Sequence, residues 1–223
     1  MKKLFALPLL GLTAAGFAQV QMTSVLDTVA DNSANVQGAT YSIAENKFLA
    51  THAGAVRIYN GDTGAYEGNL DISAVTPAPS GLGFFGMTAG SDGSIFVYEN
   101  GENDSTHNLW QWDSISDTNA TLAASGIPFT RLGYAIGTGN DTKLVLTGAQ
   151  DSGPVYIFGT DDDTSYTLIE TIPAAVAVSK SALAVSKDLT RIWAVGDTGT
   201  ASTIRKSVKV NGTWTSDPIF TVP

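Results

Sequence analysis

None of the 223 residues is a cysteine, which removes disulfides, thiol nucleophiles and thiolate metal sites together. Positive charge is scarce, with 12 Lys+Arg against 21 Asp+Glu and a formal charge of -9. Such a chain repels a phosphate backbone, and no Lys/Arg cluster past the first three residues offsets the repulsion, so no nucleic-acid partner is expected. Histidine occurs twice, at His52 and His107, with no H-x-H or H-x-x-x-H spacing. A G-x-S-x-G nucleophile turn is missing, as is the D-x-[DN]-x-[DN]-G calcium loop. Helical periodicity is missing too. The nearest candidate, residues 173–187, is broken by Ile172-Pro173 and carries several Val residues. What remains is a foldable composition, 43% hydrophobic and 15% charged, with 23 Gly to supply turns.

The N-terminus reads as a targeting segment. Lys2 and Lys3 are followed by an apolar stretch from Leu4 and by Gly16-Phe17-Ala18, small residues at -3 and -1 of a cleavage site. The uncharged run from Leu4 to Ala18 is 15 residues long, short of the ~20 that span a bilayer. Residues 1–18 are therefore expected to be a signal peptide, residues 19–37 an N-terminal strand and linker, and residues 38–223 the folded domain. No later stretch is apolar enough to span a membrane, so the mature protein is expected to be secreted, extracellular or periplasmic.

The rest of the chain repeats. Four short β-type runs begin at Lys47, Ser94, Lys143 and Arg191, spaced by 47, 49 and 48 residues. Asn46, Asp92, Asp141 and Asp188 stand just ahead of them, residue types that bond the local backbone and tolerate left-handed dihedrals. Each run follows a small-residue strand (residues 38–44, 83–89, 133–137 and 181–186). An aromatic-bearing strand comes next (55–59, 108–113, 154–158 and 203–210), and a fourth closes the unit (65–70, 118–123, 166–172 and 213–221). Four antiparallel strands every ~48 residues are the signature of a β-propeller blade. Each sheet buries its faces against neighbouring sheets, and the crowded innermost strand takes Gly and Ala.

Residues 55–70, AVRIYNGDTGAYEGNL, resemble the V-x-V-x-D-x-x-T-G-x-x-x-x-x-L blade hairpin of secreted bacterial propellers of the YVTN, NHL and PQQ-like kinds. They are also similar to an uncharacterised propeller-like domain of secreted bacterial proteins. The resemblance implies a ring scaffold that binds proteins, glycans or small ligands, with a minority of enzymes. The tryptophan that PQQ docking motifs place after the T-G pair is missing, which argues against a quinone enzyme.

The expected fold is all-β and propeller-like, four blades of four antiparallel strands, as a closed ring or an open arc. After loss of 18 residues, the remaining 205 hold about 4.3 units, the remainder being the strand-like residues 22–30. Three arrangements follow: a closed four-blade ring, an open arc whose edges pair with another copy, or part of a longer propeller. In the second, residues 19–31 donate a strand to a neighbouring subunit and build a fibre or surface layer.

Chemistry is sparse. A His pair with Glu99, Glu102 or Asp104 offers metal ligands, but two unrelated surface imidazoles in second-to-third-strand loops fit the spacing better. The acidic runs at 161–163 and 99–104 offer hard oxygen ligands, as calcium requires, yet read more simply as solvated turns. The loops between second and third strands and between blades open on one face. There His52, Asn103, Asp104, His107, Phe129, Arg131, Asp151 and Asp197 are the ligand candidates. Trp110, Trp112, Trp193 and Trp214 are expected to pack between sheets. Sequons at Asn103, Asn119, Asn140 and Asn211 fall on turns or loops. The expectation is a non-catalytic binding or assembly module. Its partners would be other copies of itself, another extracellular protein or a glycan. No cofactor is expected, although calcium is possible. The alternative is a calcium-dependent, lactonase-like propeller hydrolase.

Overall fold

The computed structural model describes residues 36–52, 54–78, 83–99, 106–128, 130–148, 154–173, 182–197, 202–217 and 221–222. The expected signal peptide and the strand-like residues 22–30 lie outside the described residues.

The chain forms four antiparallel sheets in strict sequence order. Sheet I holds β1 (Val36–Ser42), β2 (Lys47–His52), β3 (Ala55–Asn60) and β4 (Tyr66–Asn69). Sheet II holds β5 (Phe84–Ala89), β6 (Ile95–Glu99), β7 (Thr106–Trp112) and β8 (Thr121–Pro128). Sheet III holds β9 (Thr130–Ile136), β10 (Lys143–Gly148), β11 (Val155–Gly159) and β12 (Thr167–Ile172). Sheet IV holds β13 (Ala182–Val185), β14 (Arg191–Asp197), β15 (Ser202–Val210) and β16 (Thr213–Asp217), and β17 (Thr221–Val222) pairs with β15. The fourth strand expected across residues 213–221 is thus two short strands on one partner.

At Asp92 and Asp188 the repeated turn works as its residue types dictate, whereas Asp141 ends a short 3-10 helix, Gly139–Asp141. Asp92 Oδ1 accepts from the Ser94 N–H (3.1 Å) and hydroxyl (2.6 Å), and Asp188 Oδ1 accepts from the Thr190 N–H (3.1 Å) and Ser186 hydroxyl (2.6 Å). Asn46 takes the left-handed conformation itself (φ 52°), which Asn tolerates better than most residues.

The first strands of consecutive sheets pack against one another, β1 on β5, β5 on β9 and β9 on β13. Three cores fill the spaces between sheets. Leu49, Val56, Ile58, Phe84, Ile95, Val97, Trp110 and Trp112 lie between sheets I and II. Phe96, Tyr98, Leu109, Leu144, Leu146 and Phe158 lie between II and III, and Val145, Val155, Ile157, Ile192 and Trp214 between III and IV. Burying both faces of sheets II and III explains why their strands read as apolar runs without alternation. Trp110, Trp112 and Trp214 are buried as expected, but Trp193 is 37% exposed, because it stands on the face of sheet IV turned away from sheet III.

Close approach at the axis requires the small residues of the innermost strands. A Cβ on Gly38 would collide with the Phe85 carbonyl and lie 2.9 Å from Gly86 Cα. Polar side chains stitch the same seam. The Thr51 hydroxyl accepts from the Gly38 N–H (2.7 Å) and donates to the Phe85 carbonyl (2.9 Å), while Thr88 Oγ1 accepts from the Ala135 N–H (3.0 Å). The four sheets form an open arc, not a closed ring. Among the described residues, nothing resembling the other seams joins sheet IV back to sheet I.

Candidate functional site

The first strand of each sheet has one edge paired and the other turned to the axis of the arc, so four such edges line a groove. Two adjoining cavities occupy it. One of about 340 Å³ is lined by Tyr41, Ile43, Thr88, Ser91 and Tyr134 among others. One of about 310 Å³ shares Ser91, Tyr134 and Ala135 and continues to Val185 and Lys187. Tyr41, Ile43 and Tyr134 are exposed there, the two tyrosines on β1 and β9 and Ile43 in the turn after β1. Neighbouring turns hold the floor: the Ser91 hydroxyl donates to the Gly137 carbonyl (2.9 Å), and the Gly139 N–H donates to Asp92 Oδ2 (3.1 Å). Tyr41 donates through its hydroxyl to Asn46 Oδ1, which fixes the ring at the groove's first wall. Chemically, this lining offers two phenols, aliphatic side chains, hydroxyls and one ammonium group. These suit stacking and hydrogen bonding to an extended ligand.

The groove opens at the end carrying the turns between first and second strands. That is the end opposite the loops on which the sequence places its ligand candidates. Asn103, Asp104, Phe129 and Asp151 lie outside the described residues. Arg131 falls within β9 rather than in an inter-blade loop, since β8 and β9 are separated by residue 129 alone, and Asp197 ends β14. His52 and His107 are not loop imidazoles. They sit in β2 and β7, 6% and 2% exposed, so neither is a surface contact. Burial pushes the His107 imidazole below its ordinary pKa, with nearby Glu99 acting in the opposite direction. The Glu99 carboxylate accepts from the Asn108 N–H (3.2 Å), Asn108 Nδ2 (3.2 Å) and Trp110 Nε1 (3.4 Å), a buried acceptor satisfied by its own sheet. Its position fits pinning of β6 to β7. Among the described residues, no three His, Asp or Glu side chains come together as a metal site.

The acidic run 161–163 folds as a turn between β11 and β12. Asp162 Oδ1 accepts from the N–H groups of Thr164 (3.0 Å) and Ser165 (2.7 Å), bonds that hold its carboxyl well below the usual carboxylate range. Asp163 is raised instead, first by burial and then by the charge of Asp92, with Asp113 and Asp162 adding to it. The turn end of the arc is therefore negative around a groove containing Lys187.

No family model matches the chain, and no curated protein sequence does. Solved structures do. A protein assigned as TolB from Agrobacterium tumefaciens superposes with a TM-score of 0.53 at 12% identity, covering 85% of this chain and 62% of its own. Two proteins assigned as 6-phosphogluconolactonases are similar as well. The one from Bacteroides uniformis ATCC 8492 has a TM-score of 0.56 at 11% identity, and the one from Bacteroides fragilis NCTC 9343 a TM-score of 0.55 at 14%. Each covers 88% of this chain and 57% of its own. These are β-propeller proteins. At such identities they establish the fold alone, and the chain spans about three fifths of their length.

The groove residues escape a sequence reading because their exposure depends on how four sheets are placed. Tyr41 and Tyr134 do stand out as the aromatic residues of the stretches 38–44 and 133–137.

Proposed function

We propose that this chain is an exported, non-catalytic binding module that holds an extended segment of another extracellular protein in its axial groove. The observation that carries the reading is the pair of exposed tyrosines, Tyr41 and Tyr134, set on rigid inner strands around the shared cavity wall at Ser91. Tyrosine presents a large amphipathic surface at low entropic cost, and such residues dominate protein recognition. Lys187, at the far end of the groove, offers one contact for a carboxylate, while the negative turns around it disfavour a segment acidic along its length. Export rests on the N-terminal residues 1–18 and is compatible with the periplasmic kind of propeller among the structural neighbours. The calcium-dependent hydrolase alternative would need carboxylate and Asn ligands converging on the axis, and among the described residues no three His, Asp or Glu side chains come together.

Selection of a random displayed peptide library on the purified protein tests the proposal. Extended sequences with a carboxylate at one position should be enriched on the wild type and lost on Tyr134→Ser and Lys187→Glu, both folded by circular dichroism. Enrichment indifferent to both variants, or binding confined to a glycan array, would displace the reading.

A further inference from the structure

The two ends of the arc carry complementary surfaces. In sheet I the cross-strand register places Tyr41 opposite Phe48, Phe48 opposite Tyr59 and Tyr59 opposite Tyr66, a row of four aromatic rings across the whole sheet. Ring centroids are 6.0 Å apart for Phe48 and Tyr59 and 5.7 Å for Tyr59 and Tyr66. Leu49 and Ile58, one residue along, face sheet II, so strand alternation puts the aromatic row on the opposite face. Tyr59 is buried in the middle of the row, and the end members Tyr41 and Tyr66 are 46% and 47% exposed. In sheet IV, Trp193 is opposite both Ala184 and Lys206, Arg191 opposite Val208, and Val210 opposite Thr213. This face is turned away from sheet III, whose partners are Ile192 and Trp214. It exposes Trp193 and, at 54%, Val210.

Within the chain, each sheet packs one face on the preceding sheet and the other on the next. The aromatic face of sheet I and the outer face of sheet IV are the two members of that series without a described partner sheet. They are therefore a matched pair of the kind already joined three times. We propose that a second copy of this chain joins them, the outer face of sheet IV in one subunit packing on the aromatic row of sheet I in the other. Two such contacts related by a two-fold axis close eight sheets into one ring, the upper end of the ~4–8 blades that propellers adopt. The inference shares Tyr41 with the axial groove, but its test uses residues outside the groove lining and it would stand if the groove bound nothing.

Size-exclusion chromatography with light scattering on the full chain tests it. The expected mass is twice that of one chain. Trp193→Glu and Tyr66→Lys, each at an exposed site, should lower dimer affinity at least tenfold without altering circular dichroism. Mixing the two variants in equal amounts should restore the dimer, because one of its two contacts is then wild type and the other brings Glu against Lys. Should Trp193→Glu fail to fold, Val210→Lys takes its place. A wild-type monomer at tens of micromolar, an open series of larger polymers, or a dimer unaffected by these variants would each overturn the proposal.

Discussion

Glu170 on the last strand of sheet III accepts from Lys209 Nζ at 2.7 Å and from Trp214 Nε1 at 2.8 Å, both on sheet IV. Lys209 also lies 5.7 Å from the centroid of the Trp214 ring. One carboxylate thus orders a cation and an indole that together seal the outer end of the third core. Replacing Glu170 by Ala leaves the indole N–H and the ammonium without this acceptor. Charge-assisted bonds at partly exposed sites make the expected loss about 1–2 kcal/mol in urea unfolding. Raising the salt to 1 M should narrow the difference from wild type, since the ion pair is screened while the indole bond is not.

Asp163 gives the pH dependence its clearest sign. Its folded-state pKa is raised by burial and by Asp92, Asp113 and Asp162, so its charge costs stability wherever it is ionised in both states. That cost falls as the pH drops through the folded value and vanishes below the unfolded value of about 3.9. Asp163→Asn removes the charge, and Asn accepts the left-handed backbone found there (φ 60°). The variant should be more stable than wild type at pH 7 by a few tenths to about 0.5 kcal/mol, the group being mostly solvated. Thermal melts at pH 7 and pH 3 should show the gain at the first and not at the second.

The architecture was legible in the sequence because one local device recurs. Asp92 and Asp188 each accept from the backbone N–H two residues on, a turn made without tertiary information, while Asn46 marks its sheet through its left-handed backbone. His52 and His107 show the limit. Their flanking polar residues look like loop, yet β2 runs on to His52 and β7 begins at Thr106, since pairing with the adjacent strand outweighs local propensity. Trp193 shows a second limit: whether an aromatic on a strand is buried depends on which sheet follows, and sheet IV has none described against that face.

Gly38 tests the crowding at the axis. A methyl group there meets backbone rather than a movable side chain, at the Phe85 carbonyl and at Gly86 Cα (2.9 Å), and it would disturb the Thr51 bonds on both sides of the seam. Gly38→Ala should destabilise by about 1–3 kcal/mol. The same substitution at Gly126, where a Cβ meets nothing within 4 Å, meets no such wall, and any cost there comes from its left-handed φ of 68°. Melting temperatures of the two variants separate steric crowding from backbone strain.

Tyr98 and Gly133 should be energetically coupled. The Tyr98 hydroxyl is buried between sheets II and III without a hydrogen-bond partner among the described residues, and burial raises its pKa far above the ordinary value. Tyr98→Phe removes a polar group that was desolvated without compensation, so stability should be unchanged or higher by up to about 1 kcal/mol. A Cβ on Gly133 would strike this same hydroxyl, with Leu146 Cδ2 at 2.8 Å and Tyr98 Cε1 at 3.0 Å beyond it. Gly133→Ala alone should therefore destabilise by about 1–3 kcal/mol, and by distinctly less in the Tyr98→Phe background. A double-mutant cycle from urea unfolding reads the coupling directly, with an interaction of at least 0.5 kcal/mol expected for groups in contact. Strict additivity would mean that the inner strand of sheet III yields at Gly133 without pressing on Tyr98, and that the seam between sheets II and III is looser than this packing requires.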